Sequence, residues 1–452
     1  MRIILSNKLY LEEVPLNLKS DIIQKLTLIN PKYEENEKLG YSNWNTPQYL
    51  KFYDEGIDKL TMPRGCIDII AYLLRSNSAE FIDNRRVFSA ENFKFNGNLK
   101  EFQQKAVKNM LAKDFGVLCA PTGAGKTVCA LKIIADRKQP TIIIVHTKEL
   151  LYQWIDRINT FLGIEKDKVG IIGDGSKKIN SITIALIQSL YKCANDVKDN
   201  FGMLIVDECH KVPSRTFTEA VSGFDCKYML GLSATPYRRD KLTKVIYFYL
   251  GNMHYNIEQS HLVETGDIVS FKVIAQATNF YSPIDATQYY STVLSQLTED
   301  IERNRQIAAD IAKNKNNNGT ILVLTDRKKH CDTLYTILKK EHNSESVVLT
   351  GSVPNKERKQ IIEDVRAGKT KILIATGQLI GEGFDCKNLS TLFFATPIKF
   401  NGRLIQYLGR VLRSSDGKTQ AMVYDYVDNK MGIFEAAFNS RKRVYYKLMG
   451  HK

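Results

Sequence analysis

The chain has 452 residues, 43% apolar and 25% charged, with 27 glycines and 11 prolines, which fits a globular protein and excludes collagen-like or Pro/Gly-rich low-complexity character. Sixty-four Lys and Arg against 49 Asp and Glu leave a formal net charge of +15, an excess suited to a partner carrying many phosphates. Eight scattered cysteines with no Cys-x-x-Cys pair exclude a clustered zinc site or a disulfide framework and predict reduced, mostly buried thiols.

No apolar stretch approaches the roughly 18 residues of a membrane span, and Met1 to Val14 carries only three consecutive apolar residues among its charges. The expectation is a cytoplasmic protein without a membrane partner. Residues 1–97 hold 13 basic and 13 acidic side chains, whereas 98–262 and 263–452 carry net charges of +7 and +8. A polyanion is therefore expected to engage the chain after residue 97.

In chain order, Leu16–Leu28 and Ile67–Leu74 have apolar residues at helical spacing. Between them lies an aromatic region with Tyr41, Trp44, Tyr49, Phe52 and Tyr53, followed by Met62-Pro-Arg-Gly65. Residues 1–97 read as a small α+β domain. Its aromatics are expected to form its core in preference to acting as base-stacking or wedge residues. Phe93 to Asn98 reads as a linker. Short β-branched runs then alternate with helical stretches: Phe115–Ala120, Thr141–His146, Val169–Ile172, Ile182–Leu186, Met203–Val206 and Met229–Leu232. The rhythm repeats at Thr320–Leu324, Ser346–Leu349, Lys371–Ala375, Thr391–Ala395 and Met422–Tyr426. Two parallel-sheet α/β domains, 98–262 and 263–452, are expected. Lys313 to Gly319 reads as an exposed loop and Arg441 to Lys452 as a terminal helix.

Ala120-Pro-Thr-Gly-Ala-Gly-Lys-Thr127 follows a predicted strand and opens a predicted helix. Gly123 and Gly125 let backbone N–H groups converge on phosphates, and the helix N-terminus adds partial positive charge. Lys126 is placed to reach the β- and γ-phosphates and Thr127 to ligate Mg²⁺. Met203-Leu-Ile-Val-Asp-Glu-Cys-His210 is an apolar strand ending in two carboxylates, at the end of the sheet where ligands bind. Asp207 is the candidate Mg²⁺ ligand, and Glu208 the group that deprotonates the attacking water.

These segments, with others in order, resemble superfamily 2 helicases and translocases over about residues 98–430. Leu99–Gln103, His146–Trp154, Gln188-Ser189, Ser233-Ala-Thr-Pro236, Thr376–Asp385 and Gln406–Arg413 match that superfamily's remaining motifs. The resemblance implies two tandem RecA-like domains, ATP and Mg²⁺ as cofactors, and Gln103 reading the adenine edge. Pro121, Thr122, Gly123, Ala124, Gly125, Lys126 and Thr127 would hold the nucleotide, with Gly383 and Asp385. Gln406, Arg410 and Arg413 would join Lys126, Asp207 and Glu208 in catalysis. The two arginines are expected on one helix at i, i+3, and so on one face, which would meet the γ-phosphate if the two domains face each other. His210, Ser233 and Thr235 would couple ATP state to the nucleic-acid site. Thr147, Lys148, Gly173, Gln188, Thr325, Arg327, Thr350, Gly351 and Thr376 would contact the strand, largely through phosphates.

Asp-Glu-Cys-His together with Gly-Glu-Gly-Phe-Asp looks more like repair and recombination motors than RNA helicases. The small N-terminal domain before a compact two-domain motor is similar to phage UvsW-type helicases, which would place the protein in a host cytoplasm. That resemblance implies branched DNA, with its double- and single-stranded arms, as partner: forks, Holliday junctions and displacement loops. An RNA-directed helicase, or a nucleic-acid-stimulated ATPase subunit without strand separation, are the alternatives.

Overall fold

A computed structural model describes the chain apart from residues 75–78, 212–214, 236–241, 318, 382–383, 385, 399–400, 416 and 450–452, with backbone alone at Arg215, Ser260, Asn355, Gln378 and Asn401. It divides into two compact units, one of Met1–Ala120 and Gly125–Ile257, the other of Glu258–Lys452 with Pro121–Ala124.

The first unit opens on a five-stranded sheet. Arg2–Leu5 pairs antiparallel with Lys8–Glu12 and parallel with Glu80–Asp83, and Lys8–Glu12 pairs with Lys59–Pro63. Alternate residues Ile3, Leu5, Leu9, Leu11, Leu60 and Met62 point into one core. Leu18, Ile22 and Leu26 of the helix Leu16–Leu26 cover it at i, i+4 spacing. Because aliphatic side chains fill this core, the aromatics do not, contrary to the sequence expectation. Trp44 is 92% exposed and Tyr41 and Tyr49 are exposed as well; Phe52 and Tyr53 alone of the five pack against the core. The segment bearing Tyr41 and Trp44 is held from beneath. Asn36 donates to Asn43 Oδ1 (3.0 Å), Asn43 to the Tyr33 carbonyl (3.2 Å) and Asn30 to the Pro47 carbonyl (2.8 Å).

Met62-Pro-Arg-Gly65 fastens this domain to the next. Buried Arg64 donates to the Cys226 carbonyl at 2.7 Å. Gly65 lies so close to the end of the helix Thr243–Leu250 that a Cβ there would stand 2.3 Å from the Tyr247 oxygen and 2.6 Å from the Gly251 nitrogen.

The α/β elements of the first unit follow in order: α1 (Glu101–Leu111), β1 (Phe115–Cys119), α2 (Lys126–Arg137), β2 (Thr141–Val145), α3 (Lys148–Leu162), β3 (Gly170–Gly173), β4 (Ser176–Lys178), β5 (Ile182–Leu186), α4 (Ile187–Val197), β6 (Met203–Val206), α5 (Arg215–Val221), β7 (Tyr228–Ser233), α6 (Thr243–Leu250) and β8 (Met253–Asn256). The sheet order is β4-β3-β5-β2-β6-β7-β1-β8, parallel except for the β3–β4 hairpin. The central strands are unbroken apolar runs because helices cover both faces. The edge strands β4 and β8 are partly exposed and polar, so no apolar run announced them.

In the second unit β9 (Ser270–Ala277), α7 (Tyr290–Glu299), α8 (Ile301–Asn314), β10 (Thr320–Thr325), α9 (Lys328–His342), β11 (Val347–Leu349), α10 (Asn355–Arg366), β12 (Ile372–Thr376), α11 (Gly377–Gly381), β13 (Leu389–Phe394), α12 (Asn401–Val411), β14 (Gln420–Val427) and α13 (Gly432–Leu448) form the second RecA-like domain. Its six strands run β9-β14-β13-β10-β12-β11, all parallel. Two buried ion pairs anchor helices to β14 and the residue after it. Arg303 of α8 grips Asp428 (2.7 Å), and Arg441 of α13 grips Asp425 through two nitrogens (both 2.8 Å). The terminal helix thus starts nine residues before Arg441, which lies within it. All eight cysteines are free thiols, seven of them buried. Among the described residues no helix is long and apolar enough to cross a membrane.

Gly65→Ala is expected to destabilise the first unit by about 1–3 kcal/mol through overpacking against backbone and to lower its thermal midpoint. Gly56→Ala, whose Cβ would meet nothing closer than 3.4 Å, is expected to leave the midpoint unchanged. Equal midpoints for the two variants would refute the close approach.

Candidate functional site

The site of the first unit is assembled at the C-terminal ends of neighbouring parallel strands. β1 delivers the chain into the loop Ala120–Gly125, where Gly123 (φ +96°) and Gly125 (φ +79°) occupy the left-handed region that favours glycine. α2 then begins at Lys126, whose Nζ donates to the Ala120 carbonyl at 3.1 Å. Gln103, from the first turn of α1, is buried against this loop. Its Nε2 lies 2.5 Å from where a Gly125 Cβ would stand, and its Oε1 accepts from the Lys100 amide at 3.0 Å. The residue expected to read adenine therefore abuts the residues expected to hold phosphate.

β6 presents Asp207 and Glu208. Asp207 is 6% exposed and both of its oxygens are bonded: Oδ2 accepts from Trp154 Nε1 and Oδ1 from the Glu208 amide, each at 2.9 Å. Glu208 adopts φ +50°, rare for a side chain of its size. Its Oε2 lies 3.3 Å from His210 Nδ1, and that nitrogen is 3.1 Å from Ser233 Oγ at the end of β7. Ser233 gives its hydrogen to the Thr235 carbonyl (2.7 Å) and accepts from the Thr235 amide (3.0 Å). Since the serine hydroxyl has one hydrogen, the contact with His210 assigns a hydrogen to His210 Nδ1, donated to Ser233, with the Glu208 carboxylate lying beside the ring.

Burial, and after it the Glu208 charge, pushes the Asp207 carboxyl up. Burial acts on Glu208 too, but the Lys126 ammonium and then His210 outweigh it and hold Glu208 below the usual carboxylate range. Glu208 is thus kept ionised. Asp207 and the Thr127 hydroxyl are the hard oxygen donors that Mg²⁺ takes in small number alongside phosphates and water. A buried carboxyl raised by a neighbouring negative charge is also one that an added cation stabilises. The residues present fit the ion.

The strand-contact candidates of the first unit also cluster on this sheet edge, after β2 (Thr147, Lys148), at β3 (Gly173) and after β5 (Gln188). The Thr147 hydroxyl caps α3 by accepting from the Leu150 amide (3.3 Å). Lys148 pairs with Asp174, which also accepts from the exposed Tyr152 hydroxyl (2.5 Å). Gly173 (φ +135°) has Leu186 within 2.8 Å of any added Cβ, while Gln188 is exposed.

In the second unit Thr325, Arg327, Thr350, Gly351 and Thr376 lie at or just beyond the ends of β10, β11 and β12. Two of them are not surface contacts. Thr325 is 1% exposed, its hydroxyl bonded to His330 Nδ1 (2.7 Å), whose Nε2 bonds Asn304 (2.8 Å). Thr350 is likewise buried, its hydroxyl turned to the Ser352 amide (3.4 Å). A residue at or just past a strand end turns its side chain into the protein as readily as to the solvent. Arg327 donates to Ser291 Oγ at 2.9 Å, Gly351 is exposed and Thr376 half-buried. The expected pairing of Arg410 and Arg413 on one helix needs correction. α12 ends at Val411, and Arg413 forms an isolated antiparallel bridge with Ile268. Gln406 and Arg410 are on α12, both half-buried. Gly383 and Asp385 lie outside the described residues, as does Pro236.

Trp154 is the residue that sequence reasoning missed. It ends the His146–Trp154 segment, 53 residues before Asp207, and the available signal was that a Trp on the buried face of a helix needs an acceptor for its indole N–H. Trp154→Phe keeps the ring bulk and strips Asp207 Oδ2 of its donor. The variant should lose about 1–3 kcal/mol of stability and require more Mg²⁺ for half-maximal ATP hydrolysis. An unchanged Mg²⁺ titration would separate Trp154 from the site.

Residues 96–238 match the family model described as type III restriction enzyme, res subunit, and residues 302–415 match the helicase conserved C-terminal domain. A protein of Acanthamoeba polyphaga mimivirus, named as a candidate ATP-dependent RNA helicase, is 28% identical over 98% of this chain and 84% of its own length. The ATP-dependent DNA helicase uvsW of Enterobacteria phage T4 is 24% identical over 76% of this chain and 70% of its own. Among solved structures, S. cerevisiae Dbp5 bound to RNA and ADP BeF3 shares the fold, with TM-score 0.55 and 16% identity, covering 78% of this chain and 88% of that one.

Proposed function

We propose that this chain, which belongs to helicase superfamily 2, is an ATP-driven DNA motor that unwinds or branch-migrates forks, Holliday junctions and displacement loops. Its two domain matches and its relatives make it an ATP-dependent nucleic-acid helicase; DNA, and branched DNA, is the finer reading. The observation that carries the motor chemistry is the contact from Glu208 through His210 to Ser233, which ties the hydrolytic carboxylate to the Ser-Ala-Thr segment. The choice of DNA over RNA is supported by the likeness to the phage T4 protein named as a DNA helicase; branched DNA is the reading implied by the motif resemblance.

Lys126 takes the β- and γ-phosphates, exchanging its bond to Ala120 for them, and Gln103 orients the base. Glu208, held ionised, accepts the proton of the attacking water. Thr127 and Asp207 would hold Mg²⁺, which when bound neutralises charge on the phosphates. Arg410 and Arg413 stabilise the charge that builds up in the transition state. As Glu208 gains a proton its attraction for the His210 ring beside it weakens, and the contact of His210 with Ser233 is free to change. Of the candidate strand contacts, Thr147, Lys148, Gly173, Gln188, Arg327, Gly351 and Thr376 remain; Tyr41, Trp44 and Tyr49 are the exposed aromatics of the region left for stacking.

RNA is the second reading, favoured by the name of the mimivirus relative. ATP turnover stimulated by DNA against RNA separates the two. A panel of tailed duplex, fork and four-way junction tests the branched preference, with fork and junction expected to be processed faster; activity on the tailed duplex alone would refute it. Lys126→Ala and Glu208→Gln should abolish hydrolysis and retain DNA binding, so unwinding by either variant would overturn the assigned roles. Arg413→Ala should keep nucleotide affinity within about tenfold and lose turnover by a factor on the order of 10³; an unaffected kcat would remove Arg413 from the reaction.

A further inference from the structure

Lys418 follows α12 on the way to β14 and has no part in the nucleotide or strand contacts above. Its ammonium points back beneath the end of that helix. Nζ donates to the carbonyls of Leu389 (2.6 Å), Arg413 (2.8 Å) and Val411. An ammonium has three hydrogens, and here each meets a backbone oxygen. Val411 is the last residue of α12 and Leu389 the first of β13, so one side chain links the helix end, the residue two beyond it, and the start of a central strand.

We propose that Lys418 is a positioning residue for Arg413, fixing the peptide from which that guanidinium projects. The inference rests on the reading that Arg413 acts in ATP turnover.

The chemistry of the site favours this over simple helix capping. A helix C-terminus leaves carbonyls without intrahelical partners, and a cation or water can satisfy them. Here the cation is partly buried next to a second cation, and burial together with the Arg413 charge pushes Lys418 down to about 8. A neutral donor would cap the helix without that repulsion. What the ammonium offers is three directed bonds from one atom, which define the carbonyl of Arg413 relative to both sheet and helix. The other side of the same segment is also held. The Val269 amide donates to Leu412 O (2.8 Å) and Ser414 Oγ to Asp267 O (3.2 Å), around the Ile268–Arg413 bridge. Since Arg413 lies beyond the helix, these contacts do for it what a helical turn would have done.

The test is a double-mutant cycle on the full chain, measuring DNA-stimulated ATP turnover, KM for ATP and the thermal midpoint. Lys418→Met keeps the aliphatic stem and removes the donors. It is expected to lower kcat between about tenfold and a hundredfold, as a misplaced reacting group does, with KM for ATP within about threefold. Lys418→Arg should recover most of the loss. Lys418→Met combined with Arg413→Ala should be no slower than Arg413→Ala alone, since both act through one group. A kcat for Lys418→Met within about twofold of the parent, failure of Lys418→Arg to recover kcat, or losses that multiply in the double variant would each overturn the proposal. If Arg413→Ala alone leaves turnover unchanged, the assignment of Arg413 fails first and Lys418 with it. If Lys418→Met does not fold, Lys418→Gln, which keeps two N–H donors, enters the same cycle.

Discussion

Two adjacent carboxylates, removed from water at the end of one strand and facing one ammonium, set the conditions for the rest of the first unit. Asp207 and Glu208 cannot both be freely ionised in such a place. Lys126 and His210 favour the charge on Glu208, while Trp154 and a backbone amide bind Asp207. This arrangement requires that the loops after β1 and β6 approach each other although β7 lies between them in the sheet. The glycines at φ +96° and +79° let the first loop turn back sharply enough. The left-handed Glu208 turns the second.

The same strand order places Ser233 beside the two carboxylates. Because β7 separates β6 from β1, its last residue stands between the two loops. Ser233 pairs in register with Cys119 at the end of β1, and Gly231 with Val206 at the end of β6. A serine hydroxyl there is within reach of whatever follows Asp207 and Glu208, and His210 supplies the reach. From Glu208 the contacts run to His210, from His210 to Ser233 and from Ser233 to the Thr235 backbone. A change in charge at the carboxylate can therefore be felt at Thr235 at little energetic cost.

Most of this was legible from residues alone because buried parallel strands write themselves as apolar runs and phosphate chemistry demands glycines, a lysine and carboxylates at fixed spacing. The readings that failed did so where the sequence pattern is silent about direction. β4, β8 and β9 are edge strands, β4 exposed throughout and the other two exposed in part, so their sequences lack the long buried run that reveals a central strand. Thr325 and Thr350 are polar residues at strand ends, but their hydroxyls point inward to His330 and the Ser352 amide. Aromatic density around Trp44 suggested a core, and only the packing of Leu9, Leu11 and Ile22 reveals that the space was already filled. The i, i+3 spacing of Arg410 and Arg413 suggested a shared helical face, but the helix stops at Val411.

The distribution of charge bears on how such a motor could hold a strand and still let go. Among the described strand-contact candidates, several polar groups already have partners. Lys148 is matched by Asp174, Arg327 is bonded to Ser291, and the Thr147 hydroxyl is occupied in capping a helix. Phosphate contacts there compete with partners already in place, so each one gains less than a bare cation would, and the contact is correspondingly easier to break. The N-terminal domain takes the argument further. It has no net charge, yet displays Trp44 and Tyr49 on a segment braced by asparagine side chains. A strand reaching that surface would be held by stacking, which salt hardly screens. Contacts with phosphates at the sheet edges would be ones on which salt acts directly. The two kinds of contact therefore differ in their response to ionic strength, and a molecule built this way can loosen one without loosening the other.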